Sequence, residues 1–540
     1  MRIRSFSELA NLQAGRFALL LGLSSVLTLA YIILFHLTKA YSLSVNAHDF
    51  GIQVGAARNA MLHGNFYCDV INMNYLGDHF SPSLILLSPV LFFSAHPVWV
   101  LVFQNLVMLL ALWQSYRILR LFCGWKISLT AVAVLVPNLY FTEIFKHDFH
   151  IESLGFYLFL VLIYEQYHKE FRPWIFYPVL VVLAGIKEDV PLVLTFFFGI
   201  HYLRFRRRRD LFASIGLLLY FALTMKVFMP YFSDGVYTHM HRYQSLGNSP
   251  SEVFRNFFTD PVRFLTVIKW DSLNTFFKSF YYLPLLALPE FLPALIPLYY
   301  NNASDYFVQS NLWWIHSYMI LPLVILATAS SLSMIWRLLS GSFFEVNKEV
   351  LARWKSAFQN LLAQLKNWLA IIHVKQDTGS LWFLPPLVLV RRHFRLFMVW
   401  MVFLAFVTFS LAGRYRSIVV DSYPNAERVK SLNQNGPVLQ ALEKEIKQRI
   451  PLSSRIASCG ELQPHLLDYA YSGFMGLPQW DSLTFVQADY LIFLEDRCPW
   501  PFSDESSYVK YKEDRLPVFE PYYKDQYFLV LRKKHASARP

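Results

Sequence analysis

The sequence predicts an all-helical polytopic membrane domain followed by a small α/β domain outside the membrane. Of its 540 residues, 55% are hydrophobic and only 16% are charged, whereas soluble domains carry about 25% charged residues. From residue 414 onward the chain turns polar, and its apolar runs shorten to strand length. We therefore assign 1–413 to the membrane domain, with roughly 9–12 transmembrane or re-entrant helices, and 414–540 to the extracytoplasmic domain.

The net charge of +12 indicates membrane topology and not nucleic-acid binding. The basic residues cluster in short loops between apolar runs, as the positive-inside rule expects. The first run, 17–35, follows Arg2, Arg4 and Arg16. It is longer than a signal-peptide core and lacks a small-residue cleavage site. These features predict a retained anchor in the inner, cytoplasmic membrane, with the N-terminus in the cytoplasm.

Later apolar runs predict the order of the crossings. Crossing them in turn leaves the basic loops that follow residues 119, 167 and 203 in the cytoplasm. The Pro-rich run 281–300 is interrupted too often for one helix, so we expect a broken or re-entrant hairpin there. A basic cytoplasmic insert is predicted at 337–395. The predicted spans lie at 97–119, 127–145, 151–167, 174–186, 190–203, 211–232, 312–336 and 396–412.

Three consecutive charges, Lys187, Glu188 and Asp189, interrupt two apolar runs. Basic loops flank both runs, so the charges form the tip of a hairpin whose two flanks are cytoplasmic. Each limb of thirteen or fourteen residues reaches about 20 Å, short of a hydrocarbon core of about 30 Å. The tip is therefore predicted below the outer membrane surface. Ionisable residues at that depth usually mark a functional site, and the alternative is an ion pair of Lys187 with Glu188 or Asp189 that closes the turn.

Other polar clusters fall on the same predicted outer side. Singly, each residue has a structural explanation, such as an Asp that caps a helix. Collectively, carboxylates and imidazoles suit general base catalysis, metal binding or ion conduction. No Walker loop, dinucleotide fingerprint or Gly-x-Ser-x-Gly elbow is present. The clusters are His48 and Asp49, Asp78 and His79, and His147, Asp148, His150 and Glu152.

A bound metal is expected to be a hard divalent ion. The spacing of His147 and His150 matches no strong zinc signature. Oxygen ligands favour Mg²⁺ or Mn²⁺. The predicted metal ligands are Asp49, Asp78 and Glu152.

Four segments resemble a family of uncharacterised prokaryotic multi-pass membrane proteins, whose shared domain has no known function and which is related to the GT-C glycosyltransferases. They are HDFGIQ at 48–53, GDHFSP at 77–82, DFHIE at 148–152 and IKED at 186–189. The C-terminal SSRIASCGELQPHL and ADYLIFLED also resemble the outer domain of that family. The resemblance covers most of the chain.

The GT-C resemblance implies transfer of a sugar from a polyprenyl-phosphate donor to an acceptor at the outer face of the membrane. In that superfamily an acidic residue just after the first span is the catalytic or metal-binding group, and Asp49 matches its position. A cation is expected to offset charge on the leaving phosphate. The candidate catalytic residues are Asp49, Asp148 and Glu188, and the candidate substrate-binding residues are Lys187, Asp189, His79, His150 and Arg58.

Two further questions stay open from the sequence. The alternative function is a transporter or flippase that uses the buried Lys, Glu, Asp and His residues. Transport needs a path to both sides, and the sequence indicates few buried charges near the cytoplasmic ends, which favours the enzyme.

Cys459 and Cys498 lie in the predicted outer domain, where either a disulfide or two free thiols is compatible with the sequence.

Overall fold

The computed structural model describes residues 6–340 and 426–534, apart from 46, 234, 236–238, 477–483, 496, 500 and 503. Within them the chain is mostly helical, with several apolar helices and a small C-terminal sheet, which confirms the predicted fold class. The predicted span at 396–412, the domain boundary at 414 and nearly all of the basic insert at 337–395 lie outside the described residues.

In the described ranges, three helices are long and apolar enough to cross a membrane: Gly22–Tyr41, Pro97–Phe122 and Arg208–Phe232. Two bent pairs pass the same test when each is counted as one span. These segments support a membrane location, and the assignment of sides stays a prediction. The principal helices are Phe6–Tyr41, Ile52–His63, Pro97–Phe122, Trp125–Leu135, Leu139–Lys146, Ile151–Tyr167, Pro173–Ala184, Val190–Phe205, Arg208–Leu223 and Leu321–Ser340.

The predicted continuous span at 127–145 is broken. Its two helices, Trp125–Leu135 and Leu139–Lys146, meet at 62°. Pro137 has no N–H to continue the first helix. The Asn138 side chain accepts hydrogen bonds from the backbone N–H groups of the next helix and caps it. The break redirects the chain just before the polar segment that contains His147 and His150.

The predicted hairpin with the charged tip is present. Its limbs are the helices Pro173–Ala184 and Val190–Phe205. The turn between them packs against the first long loop, where Ser83 N–H donates to the Gly185 carbonyl at 3.0 Å. That loop contains the short helical turns Pro82–Leu87 and Ser88–Phe93, too short to span a membrane.

The Pro-rich segment is divided into short helices, as expected of an interrupted run. Arg204, at the far end of the second hairpin limb, donates to Glu290 at 2.6 Å. Ten residues later, Tyr300 donates to Asp189 at the charged tip. The segment therefore reaches both ends of that limb. Its short helices are Leu283–Leu286, Leu288–Phe291, Leu292–Ala294 and Leu295–Asn302.

Three amphipathic helices precede this segment: Pro250–Thr259, Pro261–Thr266 and Trp270–Ser279. Large apolar side chains such as Phe258 and Trp270 are about two-thirds exposed. Exposed aromatic faces beside basic residues are typical of helices that lie in a membrane interface.

The described C-terminal region contains one mixed five-stranded sheet. In spatial order its strands are Tyr471–Phe474, Arg455–Ser458, Tyr490–Leu494, Phe528–Lys533 and Phe519–Lys524. The first three are parallel and the last two pairings are antiparallel. The helix Ala426–Ala441 and its continuation pack on one face through Val438, Leu442 and Ile446. All four cysteines of the chain are free thiols.

Candidate functional site

Lys187 at the hairpin tip forms an ion pair with a different helix. Its Nζ lies 3.0 Å from Glu152 Oε1, and the two side chains are 13% and 3% exposed. The alternative in which Lys187 pairs with Glu188 or Asp189 to close the turn is therefore wrong. Glu152 lies in the first turn of the helix Ile151–Tyr167, so the pair fixes the tip to a neighbouring helix.

Glu188 and Asp189 are held by other partners. Glu188 accepts from the His79 ring at 2.9 Å and from the Phe80 backbone N–H at 3.1 Å. Asp189 accepts from the hydroxyls of Tyr300 and Tyr318. The three charges of the tip thus point to three different segments, and each is satisfied by a partner far along the chain.

A polar cavity of ≈ 200 Å³ opens beside the tip. Its wall includes all three tip residues and two elements that the sequence analysis did not single out. One is Arg242, in the loop between Phe232 and Pro250. The other is His316, in the short turn Trp314–Ser317. Further lining residues that offer polar groups are His79, Tyr243, Tyr300, Asn301, Gln309 and Tyr318.

A second polar cluster surrounds Asp49. His147 Nε2 lies 3.4 Å from Asp49 Oδ2, and His150 Nε2 lies 3.8 Å from Asp49 Oδ1. Burial alone would raise the pKa of the Asp49 carboxyl, but the adjacent imidazoles outweigh it and lower that pKa well below its usual range. The Asp49 side chain remains 30% exposed. The structure therefore presents an ionised, accessible carboxylate.

Both histidines of this cluster are fixed in place. The His150 Nδ1 lies 2.8 Å from the Asp148 carbonyl oxygen. The His147 ring stacks on Trp314 with centroids 4.5 Å apart. The carboxylate of Asp148 points elsewhere and forms a buried ion pair with Lys39. Asp148 therefore orients His150 through its backbone, and its side chain is neutralised away from both polar clusters.

The two clusters adjoin each other. Trp314 stacks on His147, while His316, two residues later, lines the cavity. Gln53 makes a second link, because its side chain accepts from the Ile151 N–H at 2.8 Å and donates to Glu152 at 3.4 Å. The Glu152 and Lys187 pair therefore lies between the Asp49 cluster and the cavity.

The three carboxylates predicted to share a metal do not converge. Glu152 is occupied by Lys187, and Asp49 and Asp78 belong to separate groups. Each group contains two histidines and one carboxylate, with potential ligand atoms all within 4.8 Å of one another: Asp49 with His147 and His150, and Asp78 with His79 and His239. The predicted set of metal ligands is wrong because Glu152, in the first turn of the helix Ile151–Tyr167, contacts Lys187 at the hairpin tip.

Arg58 lies away from the cavity. Its guanidinium donates to the carbonyl oxygens of Asp468 and Tyr469, at 2.8 and 3.0 Å. Nearby, the Ala47 N–H donates to the Gly460 carbonyl at 3.1 Å. Arg58 therefore connects the helical region to the C-terminal sheet region, and this contact replaces the expected substrate contact.

Replacing Arg58 with Ala is expected to destabilise the chain by about 2 kcal/mol, because two hydrogen bonds from a charged donor are lost. The exposed Arg208→Ala is the matched control and should leave the melting temperature unchanged. Thermal unfolding of both variants in detergent would measure the difference. Equal melting temperatures for the two variants would show that the contact does not stabilise the interface.

Buried charges also occur at the opposite ends of the helices, contrary to expectation. Glu165, Asp210 and Glu290 are at most 5% exposed. Each faces an arginine: Arg172, Arg209 and Arg204, respectively. The buried polar clusters are thus not confined to one side, and one-sidedness no longer separates an enzyme from a transporter.

The loop between Phe232 and Pro250 contributes residues that sequence reasoning missed. His239 stacks on His79 at 4.3 Å, and Arg242 lines the cavity. The segment HMHRY at 239–243 was a usable signal, because two histidines and an arginine are concentrated within five residues. Tyr300 and Tyr318 had no such signal in their apolar surroundings.

Comparisons with known proteins give one family and two similar structures. Two crystal structures of ArnT from Cupriavidus metallidurans are similar to the fold. The one bound to undecaprenyl phosphate has a TM-score of 0.45 and 12% identity, and covers 95% of this chain and 99% of that one. The apo structure has a TM-score of 0.43 and 11% identity, and covers 96% and 99%.

No curated protein matches the sequence. The family model described as "Predicted membrane protein (DUF2079)" matches residues 39–365. This match spans more than half of the chain and includes the Asp49 cluster, the hairpin tip and the lining of the cavity. The chain therefore belongs to the DUF2079 family of predicted membrane proteins.

Proposed function

We propose that this chain is a membrane glycosyltransferase that moves a sugar from a polyprenyl-phosphate donor to an acceptor hydroxyl. The observation that carries the proposal is the Asp49 carboxylate. It follows the first membrane helix, is kept ionised by two imidazoles, and adjoins a polar cavity. The GT-C resemblance of the sequence around Asp49 agrees with this assignment.

In the proposed reaction the acceptor oxygen attacks the anomeric carbon of the sugar. Asp49 takes the hydroxyl proton as the new C–O bond forms. The bond between the anomeric carbon and the phosphate oxygen breaks, and polyprenyl phosphate leaves with the electron pair. A divalent ion held beside Asp49 would supply further stabilisation of negative charge.

Arg242 is the best candidate to bind the donor phosphate. Its guanidinium lies over the Tyr306 ring, 5.3 Å from the centroid, and among the described residues it forms no ion pair. Lys187 also lines the cavity, but its charge is already shared with Glu152. An arginine suits phosphate because its planar fork can donate two parallel hydrogen bonds. His79, His150 and Asp189 remain candidate substrate contacts, and Glu188 a candidate catalytic group.

An apolar cavity of ≈ 140 Å³ supports a lipid-linked donor. It lies between the helices Trp125–Leu135 and Leu321–Ser340, with Ala131 in its wall. The lining is almost wholly hydrocarbon, and buried apolar area of this kind favours an alkyl or prenyl chain. We propose that part of the polyprenyl tail binds there.

Purified chain in lipid nanodiscs should release undecaprenyl phosphate from an undecaprenyl-phosphate sugar when a bacterial membrane extract supplies acceptors. The same donor in proteoliposomes tests whether the chain is a transporter instead of an enzyme. Movement of intact donor between leaflets, with no cleavage of the sugar–phosphate bond, would replace the enzyme with a flippase. Neither cleavage nor movement across a panel of donor sugars would reject both functions.

A further inference from the structure

We propose that Asp49, His147 and His150 bind a transition-metal ion of the Zn²⁺ class, and not the hard Mg²⁺ or Mn²⁺ ion expected from carboxylates alone. The inference deepens the proposed function by naming the ion at the same site. Metal binding is measured without sugar transfer, so the metal site and the reaction can fail separately.

The hydrogen bonding of His150 is the first observation. Its Nδ1 lies 2.8 Å from the Asp148 carbonyl oxygen, which can only accept. Nδ1 therefore carries the proton, and the other ring nitrogen, Nε2, presents a lone pair in the neutral ring. That lone pair faces Asp49 Oδ1 at 3.8 Å. A cation bound between these two acceptors would satisfy both of them.

The contact between Asp49 and His147 also supports a bound cation. His147 Nε2 is buried and 3.4 Å from Asp49 Oδ2, but the direction of the contact does not satisfy a hydrogen bond. Ligand atoms about 2.1 Å from a tetrahedral ion lie about 3.4 Å apart. The observed separations of 3.4 and 3.8 Å match this spacing better than the 2.7–2.9 Å of a charge-assisted hydrogen bond.

The supporting residues resemble the surroundings of known metal sites. Metal-binding histidines usually donate their second ring N–H to a carbonyl or carboxylate, and His150 does so to Asp148. The Asp148 side chain is in turn fixed by Lys39, and His147 is held against Trp314. Asp49 is 30% exposed, so the three protein ligands leave an open side for water or a substrate oxygen, as catalytic zinc sites do.

The choice of metal follows from the donor set. Two imidazoles and one carboxylate suit Zn²⁺, Fe²⁺ and related ions, whereas Mg²⁺ prefers oxygen ligands. The other group, Asp78 with His79 and His239, is less suitable. Its two rings are stacked at 4.3 Å and within 14° of parallel, whereas the rings of His147 and His150 are farther apart and more inclined, at 5.3 Å and 29°, so a shared ion would lie farther from the ring planes of His79 and His239.

The test uses full-length chain purified without a metal-affinity column, stripped with chelator and titrated with Zn²⁺ or Mg²⁺. Elemental analysis after desalting should find Zn²⁺ retained by the wild type even in excess Mg²⁺. His150→Ala should weaken Zn²⁺ binding by more than about 100-fold, because changes to the surrounding shell alone cost 10- to 100-fold. The exposed His63→Ala is the matched control and should bind as the wild type does.

Two further measurements keep the result decisive. Zn²⁺ should raise the melting temperature of wild type and of His63→Ala but not of His150→Ala, and the metal-free melting temperatures show whether each variant is folded. If His150→Ala does not fold, His147→Gln replaces it. Zn²⁺ binding that is lost in His239→Ala but kept in His150→Ala would move the site to the other group. No Zn²⁺ retention by the wild type would overturn the proposal.

Discussion

Replacing Asp49 with Asn is expected to lower sugar transfer by about 10²- to 10⁴-fold while the protein stays folded. The loss is that of a positioned general base, because the amide keeps the size of the side chain but cannot take the proton. Folding should survive because the Asp49 side chain is 30% exposed and its carboxylate faces the imidazoles of His147 and His150. The measurement is release of undecaprenyl phosphate in nanodiscs, with the melting temperature taken on the same sample.

The matched control is Asp271→Asn, which removes an exposed carboxylate from an amphipathic helix far along the chain. It should transfer sugar at the wild-type rate. A folded Asp49→Asn variant with wild-type transfer would remove Asp49 from the reaction. An unfolded Asp49→Asn variant would make its role structural.

Lys187→Met is expected to be the most destabilising single substitution in the site. It leaves the Glu152 carboxylate, 3% exposed, without its cation. Breaking one side of a buried ion pair typically costs about 3–5 kcal/mol. Glu152→Gln should cost less, because Lys187 still lies beside Glu188 and Asp189 in the chain. Denaturant unfolding in mixed micelles would rank the two variants.

The double variant Lys187→Met with Glu152→Gln separates stability from function. Removing both charges should recover much of the stability lost in Lys187→Met. If the stable double variant also recovers sugar transfer, Lys187 only positions the hairpin tip. If it folds but stays inactive, Lys187 contacts the substrate. Additive losses in the two single variants would contradict the ion pair itself.

The helices and strands that the sequence predicted well are those with local signals. The helix at 151–167 was predicted with the bounds that the structure gives it, because polar clusters stop the apolar run at both ends. The strands Arg455–Ser458 and Tyr490–Leu494 lie within the polar C-terminal segment whose apolar runs have strand length. The strands Tyr471–Phe474 and Phe519–Lys524 were missed, since glycine and proline interrupt their apolar pattern.

The partners within the site could not be predicted, because they depend on long-range packing. Hydropathy placed Lys187, Glu152 and Asp49 on one predicted side but could not say that Glu152 faces Lys187 while Asp49 faces two histidines. Those contacts depend on the rotation of each helix about its axis, which apolar runs do not define when both faces are hydrophobic. Arg58 shows the same limit, since its partners, Asp468 and Tyr469, lie about 410 residues away in the chain.

Mass spectrometry of the lipids that co-purify with the chain tests the central claim most directly. The account predicts that polyprenyl phosphate is enriched over bulk phospholipid in the wild type. Ala131→Trp, which fills the apolar cavity, should lose that lipid. Leu129→Trp, on the same helix but 55% exposed, should keep it. Bulk phospholipid alone in all three samples would contradict a polyprenyl-phosphate donor.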